Sequence, residues 1–272
     1  MKQRVVDIKK HISFMKIAKI NKKVFIPNYF NELVVLPIRF LILCIIWYAI
    51  YRVIETDEIN GYSLWGMILY YFVYAAIMHI TTYYRQLPYT VWNEITRGEM
   101  SKFICRPVSY IKYHFFYGLG YTYYSMLICI PLTIITSLYY YHGLDYVVHV
   151  LLFIISVLLG AAVTFYVHIL IGFLTFWTES VFGYRDFILH LGAIFSGGII
   201  PLTFLPVFLQ KISLFLPFRY MIYEPICILF GNYSMVNICA VIVSQILCII
   251  VLGIVTGIVW SLGIRRYEAQ GG

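Results

Sequence analysis

Six ionisable residues stand inside or at the ends of long apolar runs: Arg39, His79, His149, His168, Glu179 and His190. Charges and imidazoles are costly to hold in hydrocarbon, so such residues default to ion paths, proton relays or substrate sites. Their spacing argues against a relay. The histidines do not recur along one helix face, and each can stay neutral and bond to a neighbouring helix. A proton-coupled carrier usually needs a carboxylate near the midplane, and none is evident, since Glu179 falls at the end of its run. Arg39 lies about two turns from the basic end of its run, close enough to snorkel as an anchor. His168, Glu179, Arg185 and Asp186 come nearest to a polar constellation, which leaves a membrane-embedded lipid-modifying enzyme and a secondary carrier as alternative readings.

Chemistry of the soluble kind is missing. The sequence holds no G-x-x-x-x-G-K-[ST] phosphate loop, no H-E-x-x-H and no G-x-S-x-G. Gly118-Leu119-Gly120 lacks the third glycine and the preceding strand of a dinucleotide fingerprint. Cys44, Cys105, Cys129, Cys227, Cys239 and Cys248 show no C-x-x-C spacing, lie mostly in apolar runs and read as small hydrophobes. Asn232-Tyr233-Ser234 is a chance-level glycosylation match. The chain is therefore read with no catalytic residue, no metal ligand and no cofactor of its own.

The elements that position these residues follow from composition. Of 272 residues, 62% are apolar and only 12% are Asp, Glu, Lys or Arg, which excludes a single water-soluble domain. The expected class is an all-α integral membrane protein. Five windows are long enough to cross: 33–54, 63–84, 115–141, 146–177 and 234–264. A sixth, 187–200, is shorter and runs into Pro201, Pro206 and Pro217, which predicts one span followed by a broken, re-entrant segment. Sixteen of the 20 Lys and Arg fall on one side, so both termini are expected in the cytoplasm with six crossings. That collar explains the +8 charge without a nucleic acid partner.

No cleavable signal peptide is visible. Residues 11–26 place Ile12, Met15, Ile17, Ile20 and Val24 among lysines, as an interfacial helix would, with Pro27 and Asn28 breaking it before the first span. Most of the 26 tyrosines, clustered at 70–74, 83–84, 121–124 and 139–141, are expected as a membrane-interface belt. Gly253 and Gly257, with Gly160, Ala161 and Ala162, suggest close helix packing.

Residues 85–114 form the only long cytoplasmic loop. Trp92, Ile95, Met100, Phe103 and Ile104 recur among polar residues at three-to-five-residue spacing, predicting short amphipathic helices broken at Gly98 and stopped at Pro107.

Two patterns give this layout a relative. Glu94-Ile95-Thr96-Arg97-Gly98-Glu99-Met100, followed by Arg106-Pro107, resembles the E-I-x-x-G-x-L and R-P of the six-span permease subunits of type-2 ATP-binding-cassette (ABC) exporters. Gly197-Gly198-Ile199-Ile200-Pro201-Leu202 with Pro206, then Leu216-Pro217-Phe218-Arg219-Tyr220, Pro225 and Gly231, is similar to that branch's G-x-x-x-P-L-x-x-x-P, L-P-F and P-x-x-x-x-x-G run. Met100 replaces the usual Leu, and Arg219 stands where small or apolar residues are usual.

The resemblance implies an architecture and a mechanism. Residues 1–27 would be a basic tail and interfacial helix, 28–264 the six-span permease domain, and 265–272 a cytoplasmic tail. A coupling helix between spans two and three, within 85–114, would present Trp92, Glu94, Ile95, Arg97, Gly98, Glu99, Met100, Phe103, Arg106 and Pro107 to an ATPase. An outer gate over 196–231 would be built on Gly197, Gly198, Pro201, Pro206, Pro217, Phe218, Arg219, Tyr220, Pro225 and Gly231. Two separate ABC ATPase subunits would bind ATP and Mg, and a second permease, identical or related, would complete the path in a bacterial cytoplasmic membrane. The aromatic, nearly uncharged outer half favours an amphipathic or lipophilic cargo: peptide, drug, lipid or glycan precursor.

Overall fold

The computed structural model describes residues 12–18, 26–105, 108–138, 145–178 and 180–267, with 26–37, 39 and 145 as backbone only. Residues 12–18 are helical (α1). The following helices are α2 (Ile26–Ile54), α3 (Leu64–Ile80), α4 (Thr82–Thr96), α5 (Ser101–Ile104), α6 (Tyr110–Leu138) and α7 (Asp145–Phe173). After them come α8 (Phe182–Phe195), α9 (Val207–Ser213), α10 (Tyr223–Leu229) and α11 (Met235–Gly263). Strands β1 (Glu58–Ile59) and β2 (Tyr62–Ser63) form one short antiparallel hairpin between α2 and α3.

Local chemistry explains the boundaries. Asn60 and Gly61, at φ 50° and 80°, make the two-residue turn that Asn-Gly favours between paired strands. Ser63 Oγ accepts from the Gly66 N–H at 3.1 Å and caps α3. Ser234 caps α11 in the same way through Asn237. Pro27 and Asn28 lie within the first turn of α2 rather than breaking the chain ahead of it. A first-turn proline is tolerated because its missing N–H has no helical acceptor to lose.

Among the described residues, four helical segments are long and apolar enough to cross a membrane: Leu64–Thr96, Tyr110–Leu138, Tyr146–Phe176 and Met235–Arg266. The helix that holds the second expected span therefore does not stop near residue 84. After a small irregularity at Thr81, the helix continues as α4 through Thr96, with Pro88 inside it, and α6 already begins at Tyr110. Much of the expected 85–114 loop is thus the two flanking helices drawn together. The 14-residue α8 is about 21 Å long, short of the roughly 30 Å of a hydrocarbon core.

Helix α7 is the hub, with α4, α11, α10 and the 3₁₀ turn Pro217–Met221 all packed on it. Its Phe153, Val157 and Val163 belong to one aromatic-rich core with Trp47, Tyr70 and Tyr223. Its Ala161, Phe165, Ile169 and Phe173 belong to a second with Tyr84, Met100 and Tyr110. Small residues allow the close approaches. A Cβ on Gly160 would stand 2.9 Å from the Tyr220 carbonyl oxygen, and one on Gly120 would meet the backbone of Met15 in α1. Ile20 and Val24 of the expected interfacial helix lie outside the described residues.

Gly253 and Gly257 behave otherwise. Gly253 has only ordinary contact distance to Tyr166 and Gly257 faces open space, so this pair forms no tight crossing within the described chain. Gly160→Val should therefore lower the melting temperature in detergent, at an overpacking cost of about 1–3 kcal/mol. Gly257→Val should leave it unchanged or slightly raised, and intrinsic-fluorescence melting of both variants checks the contrast.

Candidate functional site

The amphipathic helix α4 buries Tyr83, Tyr84, Leu87, Pro88 and Val91 against α6 and α7. It ends where the Arg97 N–H bonds to the Asn93 carbonyl at 3.1 Å, and Gly98 then takes φ +72°, a conformation that disfavours any side chain. The turn closes as Met100 N–H reaches back to the Glu94 carbonyl at 3.2 Å and Ser101 Oγ donates to the Gly98 carbonyl at 2.7 Å. The expected break at Gly98 is present, and the expected stop at Pro107 lies outside the described residues, as does Arg106.

The motif side chains divide between inside and outside. Met100 is fully buried, as an apolar residue in the Leu position should be. Trp92 rests on the Phe182 ring of α8, with centroids 5.1 Å apart. Ile95 and Phe103 pack, partly buried, on the second core. Arg97 is exposed, and Glu99 pairs with Lys102 at 3.0 Å on the surface.

Glu94 points inward, with its side chain only 17% exposed. Its Oε2 accepts from the Tyr110 hydroxyl and lies 3.2 Å from His114 Nε2. The other ring nitrogen of His114 is 2.8 Å from the Tyr83 hydroxyl, back on α4. The Tyr110 ring in turn stacks on Trp260 of α11 at 5.0 Å and 8°. This carboxylate therefore faces α6.

The second motif region is irregular backbone that packs on α3 and α7 at its two ends and leaves Val207, Phe208 and Phe215 exposed between them. Gly197 has φ +76°, and a Cβ there would lie 2.5 Å from the Tyr70 hydroxyl. That hydroxyl donates to the Gly197 carbonyl at 2.7 Å, and Tyr71 donates to the Ile199 carbonyl at 2.6 Å. A Cβ on Gly198 would press on the Tyr74 ring at 3.0 Å. Pro201 and Pro206 precede the 3₁₀ turn Leu202–Phe204 and α9, and Pro217 opens the next 3₁₀ turn. Phe218 and all of α10, Pro225 included, are buried, and Gly231 follows α10 at φ +69°.

Tyrosines 70 and 71 are 0% and 1% exposed, and Tyr84 is fully buried with its hydroxyl on the Phe115 carbonyl. The expected belt role does not hold for them, because their rings are packed inside the protein and their hydroxyls bond the carbonyls of Gly197, Ile199 and Phe115. Tyr123 and Tyr124 do stay exposed, and 139–141 lie outside the described residues.

Arg219 forms an ion pair with Glu224, with side chains only 15% and 3% exposed. Its Nη1 donates to Ser213 Oγ at 3.3 Å, and the guanidinium lies over the Tyr223 ring. The arginine at a position expected to be small or apolar is thus matched by an acid five residues on.

Of the alternative constellation, Arg185 lies close enough to His168 to act on it electrostatically. His168 Nδ1 bonds to the Thr164 carbonyl of its own helix, Arg185 pairs with adjacent Asp186, and Glu179 lies outside the described residues.

A family model described as ABC-2 family transporter protein matches residues 33–271. The chain belongs to the ABC-2 transporter family. Among curated proteins, none matches it. It is a transmembrane ABC-transporter permease, and in this family ATPase activity lies in partner subunits. The match covers both motif regions and begins inside α2, leaving α1 outside it.

One residue of this permease that sequence reasoning missed is Gln245, wholly buried in α11. Its Nε2 donates to the carbonyls of Ser156 at 3.1 Å and Tyr220 at 2.9 Å, while Oε1 accepts from Ser156 Oγ at 3.1 Å. It thus ties α7, α11 and the proline-rich segment together. A lone glutamine in the middle of an apolar window was the available signal. Arg219→Met should destabilise the permease by about 3–5 kcal/mol by stranding Glu224. Arg219→Met with Glu224→Gln should recover most of that loss, as measured by thermal unfolding in nanodiscs.

Proposed function

We propose that this permease is the membrane subunit of an ATP-driven exporter and couples to a separate ATPase through the turn after α4. The observation that carries the reading is the Gly98 turn, which buries Met100 while leaving Arg97 and Lys102 exposed beside it. Such a compact element with a charged outer rim suits insertion into a groove of a partner. Two ATPase copies would bind ATP and Mg, and a second permease, identical or related, would face this one across the path.

In this reading the chain crosses a bacterial cytoplasmic membrane six times, with both termini inside. Helices α2, α3 with α4, α6, α7 and α11 supply five crossings. The sixth is α8 extended by the broken segment that follows it, which turns back as the outer gate. ATP-driven closure of the ATPase pair would shift the turn and tilt the helices, switching the path between two states of different cargo affinity. The cargo is amphipathic or lipophilic, of the peptide, drug, lipid or glycan-precursor kind.

Mild-detergent purification from the native host, followed by mass spectrometry, tests this. Recovery of an ABC ATPase, with or without a second permease, is the expected result, and recovery of the chain alone in a fraction without ATP hydrolysis would oppose it. Arg97→Glu, reversing a rim charge, should weaken retention of that ATPase about tenfold, equivalent to about 1.4 kcal/mol. Wild-type retention by this variant would remove Arg97 from the interface.

A further inference from the structure

We propose that Glu94 is an internal latch, a positioning residue that transmits displacement of the coupling turn to α6 instead of contacting the ATPase. This rests on the exporter reading above and specifies how the turn acts within it.

The geometry carries the inference. Tyr110 and His114 are four residues apart on the first turns of α6, so they share a face, and both engage the same Glu94 oxygen. Tyr83, 11 residues or about three turns before Glu94 on α4, holds the opposite nitrogen of His114. Two residues of α4 therefore grip two residues of α6. Hydrogen bonds to a carboxylate are roughly twice as strong as neutral ones, so this joint is firmer than the apolar contact around it.

The surroundings make the joint directional. His114 is 2% exposed, and Tyr83 packs on the rings of Tyr117 and Tyr121, so α6 cannot slip past α4 without breaking packed rings. Four residues beyond Glu94, Gly98 occupies the left-handed region and supplies the bend. A displacement of α5 can thus flex at Gly98, while Glu94 delivers the α4 component to α6. With Glu94 removed, the turn should still move, and α6 should follow only through the apolar contact of the Phe103 ring with Tyr110 and Tyr113, at 4.9 and 5.1 Å.

Hydrogen–deuterium exchange on the purified permease–ATPase complex, nucleotide-free and trapped with ATP and vanadate, separates these events. In the wild type, peptides covering 97–105 and 110–118 should both change protection on trapping. In Glu94→Ala, and in the milder pair Tyr110→Phe with His114→Phe, the change at 97–105 should persist and that at 110–118 should fall by more than half. Glu94→Gln, which keeps an acceptor for Tyr110, should restore part of it. ATPase should co-purify with every variant in wild-type amount, because Glu94 does not face it. An unaltered response at 110–118 in the variants would overturn the latch, as would loss of ATPase binding in Glu94→Gln with the fold intact. Failure of the wild type to retain an ATPase, or to respond to trapping at 97–105, would overturn the exporter reading instead.

Discussion

A carbonyl that cannot reach water has to find its donor within the protein, and the segment from Ser196 to Ile222 turns this requirement into the organising constraint of the fold. Its 3₁₀ turns and α9 satisfy part of the backbone internally, and other carbonyls take donors from outside the segment. Tyr70 and Tyr71 reach across from α3 to the Gly197 and Ile199 carbonyls, and Gln245 reaches from α11 to that of Tyr220. Gly160 removes the side chain that would keep the Tyr220 carbonyl away from α7. The relative placement of α3, α7 and α11 is therefore tied to one broken segment. The buried Arg219–Glu224 pair belongs to the same account, since neither charge is tolerable there without the other.

The other end of the bundle uses tyrosine in the same manner. Tyr84 bonds the Phe115 carbonyl, Tyr110 the Glu94 carboxylate and Tyr83 the His114 ring. Each offers a large apolar ring to the core and one hydroxyl to a group that needs it. Aromatic contacts join the pieces: Tyr110 stacks on Trp260, which also meets Phe173 of α7. In a chain this poor in charge, tyrosine does the work that lysine, arginine and glutamine do in wetter interiors.

How much of this was legible in the sequence depended on how local the cause was. The window 234–264 closely matches α11 with its Ser234 cap, and 146–177 matches α7 with the 3₁₀ turn that ends it, because hydropathy and capping are written in neighbouring residues. The continuation of α3 into α4 was not legible. Residues 85–114 read as a loop carrying short amphipathic helices, whereas one helix packed on α7 continues from Thr82 through Thr96. The belt reading of Tyr70 and Tyr71 failed for a related reason: an interfacial tyrosine and one that bonds a carbonyl 127 or 128 residues away have the same local sequence. At the candidate site the Gly98 break was visible from glycine alone. The inward direction of Glu94 was not, since its partners lie 16 and 20 residues further on.

The two cores are not independent, because α7 runs through both. Val163 is packed in one and Phe165, two residues on, in the other. Close-packed interiors have low compressibility and pass strain on instead of absorbing it. A shift of α4 along α7 at the Val91–Gly172 contact, where a Cβ on the glycine would come within 2.7 Å of Val91, cannot be taken up locally. It must move α7 or be blocked by it. At Gly160, the same helix carries the Tyr220 carbonyl and with it the broken segment. Under the exporter reading, the coupling turn and the outer gate would thus need no long chain of small adjustments between them, since one helix touches both α4, which carries the turn, and the broken segment.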